Sequence, residues 1–290
     1  MSTTLLAVII LIPASLVAAL NGKRAALHVQ SPTKHLAATS RVYLGFDRND
    51  YPGDPALISL KKTFSFAGYW LNNPPGASSN TWLGKRKILK QRGFGFLILF
   101  NGRTYSQLKS PHQPGALGAG DARAAAESAR QQGFPANAII FLDQEEGGKL
   151  LPEQESYVLA WIDGVIATGF RAGVYCSGMP ASEGSGKFVV TADYIRNRAA
   201  GREISFFVYG DACPPSPGCA YAEKLPAPTA SGVKFASIWQ FAQSPRRREF
   251  TGRCASTYAR NGSCYPPASG AGSIFVDLDS ATSPDPSQGR

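Results

Sequence analysis

Histidine is scarce in this chain: His28, His35 and His112 are all that its 290 residues contain. A histidine-based catalytic triad or zinc site therefore has little material, and no metal or cofactor is expected. Phosphate loops are missing as well. The glycine-bearing stretches 68–79 (GYWLNNPPGASS) and 115–122 (GALGAGDA) read as loops. They lack the Lys-Ser/Thr ending and the strand–turn–helix setting that cradle a phosphate. Neither a zinc-finger spacing nor an aromatic-interleaved RNA motif occurs, so nucleic acid is not an expected partner. Charged residues are sparse at 17%, against 43% apolar and 11% aromatic, a balance that supports a globular core rather than a disordered chain.

An unbroken apolar run of the about 20 residues that span a membrane is also lacking. Residues 1–20 are apolar but interrupted at Pro13, and no Lys or Arg precedes the run. Val17 and Ala19 place small residues at a spacing that signal peptidases accept. The expectation is a signal peptide over 1–20, with a retained N-terminal anchor as the alternative, then a linker over 21–40. The mature protein would then be secreted or held in the periplasm or cell envelope.

Five cysteines bear on the compartment. Four form two close pairs in Pro- and Gly-rich stretches, Cys213-PPSPG-Cys219 and Cys254-ASTYARNGS-Cys264, which read as disulfide-closed loops rather than a metal site. Cys176, inside AGVYCSG, reads as a buried thiol. The net charge is +10, densest at Arg246, Arg247 and Arg248. That charge attracts polyanions such as envelope polymers, or it is simply a solvated basic surface.

From residue 41 a rhythm begins. Apolar runs of strand length recur at 41–47, 66–71, 94–100, 138–143, 171–177, 204–210, 235–241 and 273–279. Helix-like segments lie between most of them, such as 122–132 behind Asp121 as N-cap, and 153–168 ending at Gly169. Near-continuous apolar strands alternating with helices predict a parallel sheet, and eight of them predict closure into a TIM-type (β/α)8-like barrel over 41–281. A doubly wound open sheet is the alternative. No clear helix separates the last two strands, so the barrel is expected to be irregular there. Residues 282–290 read as a disordered tail, and the protein as a monomer.

The strands end in polar residues: Asp47, Asn72 and Asn73, Asn101 and Arg103, Asp143 and Glu145, Tyr175, Tyr209, Gln240, then Asp277 and Asp279. In a parallel barrel these ends share one mouth. Asp143 and Glu145 are two apart, so on a strand both point the same way with Cα atoms roughly 6.6 Å apart, and Glu146 faces away. Crowded carboxylates cannot all ionise readily, which leaves one as an acid at mild pH beside a charged partner. That is what glycosidic cleavage requires. Singly, each acid also reads as a helix cap or loop solvator. Among the aromatics Tyr69, Trp70, Trp82, Tyr105, Tyr175 and Trp239, core packing competes with stacking on sugar rings, and Trp70 and Trp239 are the strongest stacking candidates.

The order GFD (45–47), FLDQE (141–145), AGVYCS (172–177), SIWQF (237–241) and FVDLD (275–279) resembles the motif order of glycoside hydrolase family 25 lysozymes. It is most similar to the glycoside-hydrolase-like DUF1906 (Rv2525c-like) group, whose GYYL-like second strand is matched by GYWL (68–71). The resemblance implies a barrel that hydrolyses peptidoglycan or a related envelope glycan, with Glu145 as proton donor and Asp47, Asp143 and Asp277 lining the site. Trp70, Asn101, Tyr175, Trp239 and Gln240 are the expected substrate contacts. Gln144 departs from the apolar or aromatic residue common inside the lysozyme Asp-x-Glu pair, and the cysteine-closed loops are not part of the shared pattern. A non-catalytic glycan- or envelope-binding barrel is the alternative.

Overall fold

The computed structural model describes residues 41–110, 113–210, 225–242, 274 and 276–290. Eight strands close a barrel: β1 (Tyr43–Asp47), β2 (Phe66–Trp70), β3 (Gly95–Asn101), β4 (Ile139–Asp143), β5 (Arg171–Ser177), β8 (Ile204–Tyr209), β9 (Ile238–Ala242) and β10 (Asp277–Ala281). A small hairpin, β6 (Pro180–Ser182) and β7 (Phe188–Val190), follows β5. Helices α1 (Asp54–Lys61), α2 (Arg86–Gln91), α3 (Tyr105–Leu108), α4 (Pro114–Gln131), α5 (Pro152–Ala167) and α6 (Thr191–Arg198) occupy the connections. The eight apolar runs all become barrel strands, in the order β1-β10-β9-β8-β5-β4-β3-β2.

One strand breaks the expected pattern. Seven strands are parallel, but β10 lies antiparallel between β1 and β9. A parallel partner needs a crossover to return the chain to the same end, whereas an antiparallel strand does not. The weak helix pattern ahead of β10 has this origin.

The barrel interior is filled by aromatic rings seated over glycines. A Cβ on Gly45 would fall 2.1 Å from the Phe66 ring, and one on Gly173 would fall 2.4 Å from the Phe141 ring. Any side chain at either position would evict a ring from the core. Outside the sheet, Phe46 stacks edge-on against Phe64 and Phe94, at 5.0 and 6.1 Å between centroids.

Helix α4 begins at Pro114, well before Asp121, because Pro suits the first helical turn and the glycines read as a loop are a packing surface. A Cβ on Gly118 would lie 2.2 Å from the Tyr157 carbonyl oxygen on α5, and one on Gly164 of α5 would lie 2.6 Å from Ala122. Small residues thus bring the two helices into near backbone contact. Asp121 caps nothing. It accepts two hydrogen bonds from Arg103, at 2.7 and 2.9 Å, and one from the Tyr157 hydroxyl at 2.8 Å.

The tail expected to be disordered is docked. Ser287 accepts from the Ile98 N–H through Oγ (2.8 Å) and from the Ile139 N–H through its carbonyl (2.8 Å), and its own N–H donates to the Phe96 carbonyl (2.9 Å). Asp285 accepts from the Phe96 N–H at 2.7 Å, and Arg290 donates to the carbonyls of Phe94 and Gly93. Strands β3 and β4 pair with each other only from Ile98 and Ile140, so on the edges that face each other their first backbone groups lack strand partners, and the tail supplies them.

Cys176 is a buried free thiol, its pKa pushed up by burial. Residues 1–40, the paired cysteines Cys213, Cys219, Cys254 and Cys264, and Arg246–Arg248 lie outside the described residues. Among the described residues no helix is long and apolar enough to cross a membrane.

Replacing Asp285 with Ala strands the Phe96 N–H and frees the tail. We expect a loss of about 2 kcal/mol, read in thermal unfolding as a midpoint lower by about 4–8 °C. An unchanged midpoint would show that the tail contributes nothing to the barrel.

Candidate active site

At the carboxyl ends of the parallel strands, Asp47 closes β1 and Asp143 closes β4. Asp143 stands between Asn101 on β3 and Tyr175 on β5, and Asp47 stands opposite Asp277 on β10. Asp277 reaches the mouth because β10 runs backwards. Its amino end, not its carboxyl end, lies beside the end of β1.

Asp47 is 5% exposed and wedged in place. A Cβ on Gly68 would lie 2.5 Å from the Asp47 Cβ, so only glycine on β2 leaves room for the carboxylate. Gln240 Nε2 donates to Asp47 Oδ2 at 2.8 Å, and the Tyr175 hydroxyl donates to Gln240 Oε1 at 2.7 Å. This chain links β5, β9 and β1 across the barrel. Burial is the largest influence on Asp47 and pushes its pKa up to about 6; the bonds from Gln240 and Asp279 pull it down, and the Glu145 charge pushes it up. Asp279, fully buried beneath the mouth, is raised well above the ordinary value, first by burial and then by the charges of Asp47 and Asp277.

Tyr175 reports the convergence of the acids. Its phenol is driven up first by burial and then by Asp143, Asp47, Asp277 and Glu145 together. The charges of all four acids singled out from the sequence therefore reach one hydroxyl. Glu145 is exposed at the rim, and the Tyr209 hydroxyl fixes its backbone by donating to its carbonyl at 2.7 Å. Glu146 serves the scaffold, accepting from the Tyr105 N–H at 2.7 Å and from the Gln154 amide. A cleft of about 400 Å³ opens beside Asp143 and Glu145, walled also by Asn101, Arg103 and Gln107; its lining includes neither Asp47 nor Asp277.

The expected sugar contacts divide. Asn101 lines the cleft, while its amide holds the Asn73 carbonyl at 2.9 Å. Tyr175 and Gln240 are buried and position Asp47. Trp70 is 4% exposed and donates its indole N–H to the Arg48 carbonyl; Trp239 is 5% exposed and donates to the Gly210 carbonyl. Strand alternation turns Trp239 away from the barrel interior that Gln240 faces. Neither indole is a free stacking platform. Sequence reasoning passed over Arg48, a half-buried guanidinium within reach of the Asp277 charge, and gave no distinct role to Gly68 or to Asp279 beneath Asp47. Among the described residues no three His, Cys, Asp or Glu side chains are grouped to hold a metal ion.

Residues 65–203 match the family described as Rv2525c-like, glycoside hydrolase-like domain. The resemblance read from the motifs is borne out over that stretch, which contains Asp143, Glu145 and Tyr175 and leaves Asp47, Gln240 and Asp277 outside. No curated protein matches the chain. Among solved structures, an uncharacterized B. stearothermophilus protein is similar at TM-score 0.52 and 18% identity, over 82% of this chain and 94% of that one, and shares its fold. The Clostridium perfringens spore cortex lytic enzyme SleM aligns at TM-score 0.49 and 15% identity, over 83% and 68% of the two chains. The Mycobacterium tuberculosis Tat-secreted protein Rv2525c aligns at 0.48 and 15%, over 84% and 96%.

Gly68→Ala tests the wedge. The added methyl must displace Asp47 and lengthen its bond to Gln240, at a cost of about 1–3 kcal/mol by denaturant unfolding. A variant as stable as the parent, with Asp47 unmoved in its structure, would show that the contact is slack.

Proposed function

We propose that this chain is an exported glycoside hydrolase that cleaves peptidoglycan or a related envelope glycan without a cofactor, Glu145 donating the proton. The observation that carries this reading is that the charges of Asp47, Asp143, Glu145 and Asp277 all act on the Tyr175 phenol, with an open cleft beside Asp143 and Glu145. The family match over the segment bearing Asp143 and Glu145 supports it.

The division of labour follows from exposure. Asp47 titrates near mild acidity but is walled in by Gln240, so a substrate oxygen cannot reach it without displacing that amide. Glu145 stands at the rim where a leaving oxygen can approach. Asp143 and Asp277 lie close enough to stabilise positive charge developing on the sugar or to orient a neighbouring acetamido group, and Asp47 shapes the floor. A carboxylate on each side of the bond is what cleavage through an oxocarbenium-like state requires.

The seclusion of Asp47 and the two spent indoles favour a second reading, a barrel that binds glycan without cutting it. Release of reducing ends from purified cell-wall material separates the two. Wild type is expected to release them, and Glu145→Gln to be slower by at least about 100-fold while still sedimenting with the wall. Equal release by both proteins would sink the role given to Glu145. Sedimentation by wild type without any release would establish the binding reading instead.

A further inference from the structure

Strand β10 lies between β1 and β9, and Asp279 is paired there with Gly45 on one side and Gln240 on the other. The Gln240–Asp47 hydrogen bond joins those two flanking strands and so arches over β10, above Asp279. Asp279 is 0% exposed, and among the described residues no donor reaches either of its carboxylate oxygens. An ionised carboxylate cannot persist in such a place. Burying one without a hydrogen-bond donor costs far more than retaining its proton. Gly45 presents no side chain on the β1 side, so the carboxyl of Asp279 turns toward its diagonal neighbour Asp47, within the reach of such pairs in an antiparallel ladder.

The geometry points to Asp279 as a neutral acid that donates its proton in a hydrogen bond to the Asp47 carboxylate, acting as a positioning residue beneath the mouth. The pair then carries one negative charge rather than two. Asp47 is held from two sides, by the Gln240 amide and by the Asp279 hydroxyl, and stays a carboxylate near neutral pH despite its burial. The groups that face the pair are consistent with this assignment. Asp277 on β10 itself contributes negative charge to Asp279 and Glu145 contributes it to Asp47, while β9 offers only the uncharged Gln240. Arg48, the cation nearby, acts on Asp277.

The effect on pH dependence has a definite sign. Folding raises the affinity of both groups for protons above the ordinary aspartate value of 3.8, Asp47 reaching about 6. The folded state therefore binds more protons than the unfolded one across that interval. This contribution to stability is whole below the ordinary value; the share of Asp47 is lost as pH rises through its folded value of about 6, and the share of Asp279 goes on falling until its own, higher folded value is passed. The consequence for catalysis rests on the hydrolase reading above; the protonation of Asp279 does not.

Infrared spectroscopy of the full chain at pH 8 tests the proposal directly. The wild type is expected to show the carbonyl stretch of a protonated, hydrogen-bonded carboxylic acid, and Asp279→Asn to lose it. The amide of Asp279→Asn still donates to Asp47 and has no proton to retain, so this variant should match wild type near pH 4, lose part of the decline in stability between pH 4 and pH 7, and melt above wild type at pH 8. Asp279→Leu removes the donor. The acid limb of its pH profile, for glycan release or for wall binding, is expected to move up by about one unit while Asp279→Asn stays near wild type. Absence of the protonated-acid band in wild type, or its survival in Asp279→Asn, overturns the proposal whether or not the protein cleaves glycan. A band that vanishes in Asp279→Asn, in a protein that releases no reducing ends, upholds the proposal and rejects the hydrolase reading.

Discussion

A buried carboxylate at the end of β1 governs the mouth of this barrel. Asp47 has lost its hydration, and each neighbouring element answers that loss. Glycine at position 68 clears the volume, Gln240 supplies a donor from β9, and Tyr175 orients Gln240 from β5. Remove any one and the carboxylate is crowded, unpaired or free to turn. The Gln240–Asp47 bond is worth about 1.5–3 kcal/mol because one partner is charged, and the neutral Tyr175–Gln240 bond about 0.5–1.5 kcal/mol. Their joint effect is geometric, since they fix one acid oxygen relative to three strands that are far apart in sequence.

The same economy of space shapes the rest of the fold. Interior glycines face aromatic rings at Gly45 and Gly173, and small residues let α4 and α5 meet almost backbone to backbone. The first device seats large rings on minimal residues, and the second sets helix backbone against helix backbone. They also make the positions unforgiving, because adding a Cβ there collides with a ring or a carbonyl that has nowhere to move.

The eight strands were legible because burial on both faces leaves near-continuous apolar runs, and the closed barrel followed from their number. Direction was not legible. An antiparallel strand carries the same alternation as a parallel one, so nothing in SIFVDLD marks β10 as reversed, and Asp277 reached the mouth for a reason the pattern could not express. The tail 282–290 looked unstructured because its contribution lies in backbone and short polar groups that complete β3 and β4, which no hydrophobic period records. The stretch before Asp121 looked like a loop because glycine serves close helix contact as well as turns. One error was avoidable: Trp239 and Gln240 are adjacent, and the two-residue period of a strand forbids both from facing the interior.

The mouth is built from two halves joined at few points. Strands β2 to β5, within the segment that matches the glycoside hydrolase-like family, bring Asp143 and Glu145. The closing strands β9, β10 and β1 bring Gln240, Asp277, Asp279 and Asp47. Tyr175 connects them by donating from β5 to Gln240, and Tyr209 on β8, between the two, donates to the Glu145 carbonyl. In the first half Glu145 stands exposed at the rim, while in the second Asp47 and Asp279 are buried. A proton exchanged with a substrate therefore has its natural place in the first half, and a proton retained by the fold has its place in the second. The charge at the mouth depends on how many of these acids keep their protons, and the buried pair Asp47 and Asp279 in the second half sets much of that number.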